Sequence, residues 1–168
     1  MTLEHPLAPR GRRLLTLCYE SLLLLAISLA GGMLFQLAWP GNGSDAVRRY
    51  VEFAYWMTLL FGYFAWCWRR SGQTLAMKTW RLRLVAEGGG APGWRAMTIR
   101  FALALVFYGP LVPVWLWVRH NPDMKWLQWA TYAWFALPWL WTWLDRERQL
   151  LHDRLAGTRV VLLPIARD

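Results

Sequence analysis

The sequence predicts an all-α membrane protein, a single domain built as a four-transmembrane-helix bundle with a small cytoplasmic strand pair. Three observations predict this fold class. Hydrophobic residues make up 57% of the 168-residue chain, above the roughly 45–50% of soluble domains, and they are concentrated in four apolar blocks. Tryptophans and tyrosines cluster at the ends of these blocks, as they do in the aromatic belts of membrane helices. Lys and Arg are distributed unevenly between the connecting segments.

The first apolar block, residues 14–39, follows Arg10, Arg12 and Arg13 and is long enough to cross a bilayer, which needs about 20 residues. Glu20 interrupts this block roughly 9 Å past its start, at about 1.5 Å per residue. An ionisable group at that depth is costly and usually faces the protein interior. Arg13 lies two turns earlier on nearly the same helix face, too far for a direct pair, so each side chain is expected to need a partner from another segment. We interpret the block as a retained helix rather than a cleaved signal peptide.

Three further apolar blocks follow the first. The third contains Gly109, Pro110 and Pro113. Because each proline removes a backbone donor, a kink or a locally opened helix is expected, and a packed kink is favoured over a break that lines a substrate path. The fourth holds six tryptophans, which interfacial anchoring explains. The three blocks are residues 51–68, 99–118 and 126–144, and residues 40–44 form a Gly-rich linker after the first block.

The polar connection at residues 69–96 and the tail at residues 145–168 hold the strand-like runs of the chain. Residues 81–85 alternate charged and apolar side chains, and residues 158–162 follow a turn glycine, Gly157. Because a lone strand leaves its backbone groups unpaired, the two runs are expected to pair. The rest of the connection is expected to form a short interfacial helix, residues 71–80, and a turn, residues 87–93.

The basic residues predict the orientation in the membrane. Of the 19 Lys and Arg residues, three lie in the N-terminus, seven between residues 69 and 100, and five in the tail, whereas the two links on the opposite side hold four. The positive-inside rule therefore places both termini and the middle loop in the cytoplasm. The net charge of +9 is then explained by topology and by anionic lipid at the cytoplasmic face. Nucleic-acid binding is not expected, because no basic face interleaved with aromatic residues forms outside the spans.

Few motifs in the chain carry chemistry. Cys18 and Cys67 are expected to be free thiols, and no Cys/His cluster has metal-ligand spacing, so neither a metal nor another cofactor is expected. His152 beside Asp153 hints at acid–base work, but adjacent residues on a helix are expected to point apart. Since no nucleophile motif accompanies them, we do not expect an enzyme.

Three segments along nearly the whole chain carry charged or glycine motifs in a distinctive order: Arg13 with Glu20; Gly72, Gln73, Thr74 and Lys78, followed later by Arg100; and His152, Asp153, Gly157 and Thr158. In this order and spacing they resemble the RDD family of bacterial inner-membrane proteins, named for one arginine and two aspartates. The resemblance implies a multi-pass protein of the bacterial inner membrane whose molecular role is poorly defined. Some members are linked to sodium–proton exchange, and ligand transport has been proposed.

The resemblance also implies roles for individual residues. Arg13 corresponds to the family arginine and Asp153 to the second aspartate, whereas Glu20 stands where the first aspartate is expected and is longer by one methylene. Because the family pattern links them and both lie at the cytoplasmic interface, Asp153 is expected to approach Arg13. We further expect Glu20 to meet Arg100, with hydroxyl or Trp N–H donors completing the hydrogen bonds of the carboxylate.

Two functions remain open from the sequence. The favoured one is a structural or partner subunit, in which Arg13, Glu20, Arg100 and Asp153 form a polar network and the protein contacts another membrane protein or a second copy of itself. The alternative is a small ion or solute transporter, for example for sodium–proton exchange, that uses Glu20 as the carboxylate well inside a span. A closed ion pair at Glu20 favours the subunit, and a wet cavity favours the transporter.

Overall fold

A computed structural model describes residues 6–40, 46–145 and 149–164. The described residues up to Arg83, together with residues 161–164, form one compact unit, and Leu84–Val160 form a second. The expected linker at residues 41–44 and parts of the expected tail, residues 146–148 and 165–168, lie outside the described residues. The helices are α1 Arg10–Ala38, α2 Ala46–Arg70, α3 Leu75–Thr79, α4 Trp94–Tyr108, α5 Leu111–His120, α6 Lys125–Leu144 and α7 Leu151–Leu155.

Helix α1 buries three polar residues and exposes several of its leucines. Arg13, Thr16 and Glu20 are buried, whereas Leu29 and Leu37 are 69% and 72% exposed. A helix on the surface of a soluble protein shows the reverse pattern, with its apolar stripe turned towards the core. An exposed apolar face of this length is unusual for a soluble monomer and is what a lipid-facing helix requires.

Helices α1 and α2 approach closely at Gly31. Tyr55 Oη donates a 2.8 Å hydrogen bond to the Gly31 carbonyl oxygen. A Cβ atom at Gly31 would lie 2.6 Å from Leu59 Cδ2, so a larger residue would require the Leu59 side chain to shift. Small residues are used in this way where membrane helices pack, because lipid supplies no hydrophobic force that holds helices together.

The connection after α2 turns sharply into a short helix. Gly72 has a φ of 69°, in the left-handed region that glycine adopts without a steric penalty. Thr74 then caps α3, its hydroxyl oxygen accepting a 3.2 Å hydrogen bond from Met77 N, as expected of an N-cap threonine. The predicted helix within residues 71–80 is therefore present as α3, which packs against α1.

The predicted strand pair is confirmed. β1 Leu82–Ala86 and β2 Thr158–Leu162 form a two-stranded sheet, with β1 one residue later than predicted. Leu163 N donates to Arg81 O at 2.8 Å at one end of the sheet, and Glu87 N donates to Gly157 O at 3.0 Å at the other, so the strands run antiparallel. The expected turn follows β1, and it places two glycines in the left-handed region: Gly89 with φ 84° and Gly90 with φ 82°.

The second unit contains a broken helix, as the prolines predict. α4 ends at Tyr108 and α5 begins at Leu111, with Gly109 and Pro110 forming the turn between them. The backbone stays hydrogen-bonded on both sides of the break, since Gly109 N donates to Leu105 O at 2.8 Å and Val114 N donates to Pro110 O at 3.0 Å. Helix α6 packs against α4, α5 and α7.

Two segments among the described residues are helical, long and apolar enough to cross a membrane: Arg10–Ala38, and Trp94–His120, which contains α4 and α5. The first covers the predicted span at residues 14–39 except Trp39, and the second contains the predicted span at residues 99–118. The second and fourth predicted blocks are also helical, as α2 and α6. Both helices are long enough, but they are not among the segments apolar enough to cross a membrane. Their many Trp and Tyr side chains lower the mean hydropathy, although such side chains are favourable at membrane interfaces.

Candidate functional site

In the first unit the buried polar site is built around Glu20. Its side chain is on α1, and the residue is 8% exposed. Tyr63 Oη on α2 donates to Glu20 Oε1 at 2.8 Å, and Thr74 Oγ1, the cap of α3, donates to Glu20 Oε2 at 2.5 Å. Both carboxylate oxygens therefore accept a hydrogen bond from a hydroxyl group on a different helix.

This arrangement follows from local structure. Tyr55 and Tyr63 lie about two turns apart on one face of α2. Tyr55 donates a hydrogen bond to Gly31 of α1, and Tyr63 donates one to Glu20, which is earlier in α1. The two helices therefore run antiparallel along this face. The N-cap conformation of Thr74 lets one hydroxyl accept from Met77 N while it donates to Glu20. The expectation that hydroxyl donors would complete the hydrogen bonds of Glu20 agrees with these contacts.

Arg13 lies on the same buried face of α1. It is 5% exposed, and Thr16, one turn later, is 7% exposed and donates to Arg12 O at 2.8 Å. The stripe that the sequence predicts from Arg13 to Glu20 is thus turned away from the exposed leucines. Such a stripe keeps charge away from lipid, where it would be most costly.

In the second unit the buried polar site is an ion pair between Arg100 of α4 and Asp153 of α7. The Arg100 guanidinium contacts the Asp153 carboxylate directly, and Asp153 is 0% exposed. Thr158 Oγ1, at the start of β2, accepts from Arg100 Nη1 at 3.4 Å and donates to Asp153 O at 3.3 Å. The pair and this hydroxyl together join α4, α7 and β2.

His152 completes the Asp153 cluster. Its Nε2 lies 3.3 Å from Asp153 Oδ1, and its ring packs edge-on against Tyr108, with the centroids 5.8 Å apart. The expectation that His152 and Asp153 point apart is therefore wrong. The five-residue helix α7 is a single short turn, and the His152 side chain can fold back towards the neighbouring carboxylate because both groups are buried against α4 and α6.

The remaining motif residues shape the connections. Gln73 Nε2 donates to Leu82 O at 2.7 Å, which ties the turn after α2 to β1. Lys78 is exposed in the last turn of α3, where a cation suits the helix dipole. Gly157 has a φ of 62° and makes the turn into β2. These roles are structural, and of them the sequence predicted the turn at Gly157.

The structure pairs Arg100 with Asp153, which the sequence did not predict. The two pairs that the sequence did predict, Arg13 with Asp153 and Glu20 with Arg100, each join residues of different units and stay predictions. The donors Tyr63 and Thr158 were also not anticipated as partners of the charged residues. Among the described residues, no group of three or more His, Cys, Asp or Glu side chains is placed to hold a metal ion.

Long apolar helices with charged residues buried on the face opposite their exposed leucines define a membrane protein. A model of the RDD family matches residues 7–157. The match covers most of the chain, and the protein therefore belongs to the RDD family, a family of bacterial membrane proteins. No curated protein and no solved structure matches the chain.

Proposed function

We propose that this protein is a non-catalytic structural or partner subunit of the bacterial inner membrane, with four membrane spans and both termini in the cytoplasm. One observation carries the proposal: the buried charges are used to join structural elements. Glu20 binds the hydroxyls of α2 and of the α3 cap, and Asp153 binds Arg100 of α4.

The closed surroundings of these charges support a structural role. A transport carboxylate must exchange its proton or ion with water, whereas Glu20 is 8% exposed and hydrogen-bonded at both oxygens. Asp153 is fully buried beside a permanently charged guanidinium. Buried ion pairs of this kind fix which elements pack together, and they hold their geometry because an unpaired charge would be costly.

The pattern of exposed side chains supports four spans. In α6, Trp129, Trp143 and Leu144 are 72%, 76% and 79% exposed, and in α2 Phe53 and Trp66 are 62% and 61% exposed. These side chains would be poorly solvated by water but are favourable in lipid and at its interfaces. The remaining apolar surface offers a face for another membrane protein or for a second copy.

Cysteine labelling tests the orientation. In a background with Cys18→Ser and Cys67→Ala, a cysteine at Asn121 is expected to react with an impermeant thiol reagent added to intact cells, because the link after α5 is predicted to lie outside. A cysteine at Gly89, in the turn after β1, is expected to react only after the cells are permeabilised. Labelling of the Gly89 cysteine in intact cells would overturn the proposed orientation.

A transporter is the second candidate, and one observation favours it. Glu20, an ionisable residue, is buried on a helix that is long and apolar enough to cross a membrane. Flux measurements separate the two functions. In proteoliposomes with imposed sodium and proton gradients, the subunit proposal expects the same flux for the wild type, for Glu20→Gln and for empty liposomes. Wild-type flux above the empty-liposome level that Glu20→Gln abolishes would establish the transporter instead.

A further inference from the structure

A pocket of about 270 Å³ in the first unit is lined by Arg12, Thr79, Trp80 and Arg81. None of these residues belongs to the Glu20 site. Arg12 lies in the first turn of α1, and the other three follow one another at the end of α3 and before β1. The pocket therefore brings together two arginine residues from segments far apart in the chain.

The two arginines of this pocket are exposed. Among residues 6–40, 46–145 and 149–164, no carboxylate forms an ion pair with Arg12 or Arg81. Two like charges on one pocket repel each other, so an anion would relieve this repulsion.

Arg81 is held in an unusual backbone conformation. Its φ is 57°, and it is the one non-glycine residue with a positive φ among the described residues. Arg81 N donates to Lys78 O at 3.2 Å, and Arg81 O accepts from Leu163 N at 2.8 Å, so both backbone polar groups are fixed. Glycine would adopt this conformation without strain, and a strained residue that persists often marks a functional position.

The position of the pocket along α1 indicates the source of the anion. The exposed leucines of α1 begin two residues after Arg12, with Leu14 50% and Leu15 46% exposed, and Leu75 of α3 is 53% exposed. A pocket at the start of an apolar helix face lies at the depth of lipid headgroups, where tryptophan is also enriched. Arginine binds phosphate oxygens through two parallel N–H groups.

We propose that this pocket binds a phosphate group, supplied by the headgroup of an anionic phospholipid. Arg12 and Arg81 neutralise the phosphate, and Trp80 lines the pocket beside them. The proposal rests on the proposed membrane placement and adds a defined lipid site to it. It predicts that lipid selectivity depends on a few residues rather than on the overall positive charge.

Native mass spectrometry of the full-length protein in detergent tests this site. The purified protein is incubated with phosphatidylglycerol or phosphatidylcholine, and the bound lipid is counted. We expect selective retention of phosphatidylglycerol, with about fivefold weaker binding for each of Arg12→Gln and Arg81→Gln.

Arg83→Gln is the matched control. It removes the same charge two residues away, outside the pocket lining, where Arg83 Nε donates to Ser71 O at 3.1 Å. Its phosphatidylglycerol retention is expected to equal that of the wild type. An equal loss for Arg83→Gln and Arg81→Gln would reduce the effect to diffuse surface charge and overturn the site.

Two further measurements keep the test decisive. Arg81→Gly removes the charge and the backbone strain together, so it is expected to melt at a higher temperature than Arg81→Gln while binding phosphatidylglycerol equally weakly. Inorganic phosphate that stabilises the wild type but not Arg81→Gln, with no lipid selectivity, would assign the site to soluble phosphate. These measurements use purified protein. Their outcomes are therefore distinct from labelling of the Gly89 cysteine in intact cells, which would overturn the proposed orientation.

Discussion

Asp153→Ala is expected to lower the free energy of unfolding in detergent by about 3–5 kcal/mol, the usual cost of removing one partner of a buried ion pair. The substitution leaves the Arg100 guanidinium, whose side chain is 9% exposed, without its carboxylate. It also removes the carboxylate that His152 Nε2 approaches at 3.3 Å. Denaturant titration followed by tryptophan fluorescence measures the loss.

The control is a second ion pair in the same unit. Arg159 Nη2 lies 3.3 Å from Glu87 Oε1, and the Glu87 side chain is 60% exposed. Glu87→Ala is therefore expected to cost under about 1 kcal/mol, because solvent screens an exposed pair. Arg100→Leu combined with Asp153→Leu is expected to recover part of the Asp153→Ala loss, since no buried charge remains. Strictly additive losses for Asp153→Ala and Arg100→Ala would show that the two residues are not coupled.

Glu20→Ala is expected to destabilise the protein by about 3 kcal/mol or more, because a hydrogen bond to a charged group contributes about 1.5–3 kcal/mol and Glu20 accepts two. The variant leaves the hydroxyls of Tyr63 and Thr74 without their acceptor. Thermal unfolding in detergent, monitored as the loss of the monodisperse species, measures this effect. The expected result is a much lower midpoint than that of the wild type.

Variants of the donors apportion the loss. Tyr63→Phe removes one hydrogen bond to Glu20, whereas Thr74→Val removes the other and also the cap of α3, so Thr74→Val is expected to be the more costly change. Ser21→Ala is the matched control, since Ser21 is exposed and donates a hydrogen bond to the carbonyl of Cys18 on its own helix. If Glu20→Ala melts like Ser21→Ala, the hydrogen-bonded site does not stabilise the protein.

The same series tests the predicted contact between Glu20 and Arg100. If the two residues meet, the double variant Glu20→Ala/Arg100→Ala is expected to lose less stability than the sum of the two single variants. Each single variant already removes the interaction between them, so the double variant does not lose it twice. Additive losses would contradict the contact. Under either outcome Glu20 has a structural role in the first unit, because it accepts hydrogen bonds from two hydroxyl groups. Arg100 likewise has a structural role in the second unit, because it pairs with Asp153.

The sequence by itself determined the elements of this protein. The helical blocks, the break at Gly109 and Pro110, the strand pair and the turns at Gly89 and Gly157 all agree with local patterns. These features depend on apolar periodicity, on the missing donor of proline and on glycine's access to positive φ, and each of those properties is read within a few residues. Burial of Arg13 and Glu20 also followed, because a charge inside an apolar block must avoid lipid.

The partners of the buried charges were decided only by the tertiary structure. Glu20 meets Tyr63 and Thr74, which are 43 and 54 residues away along the chain. Tyr55 and Tyr63 share a helix face, and only the depth at which α2 packs against α1 assigns one to Gly31 and the other to Glu20. Similarly, Asp153 reaches Arg100 because α7 packs against α4. Charge and polarity predict that a buried group needs a partner, but the packing of distant segments selects the partner, since many donors along the chain are chemically equivalent.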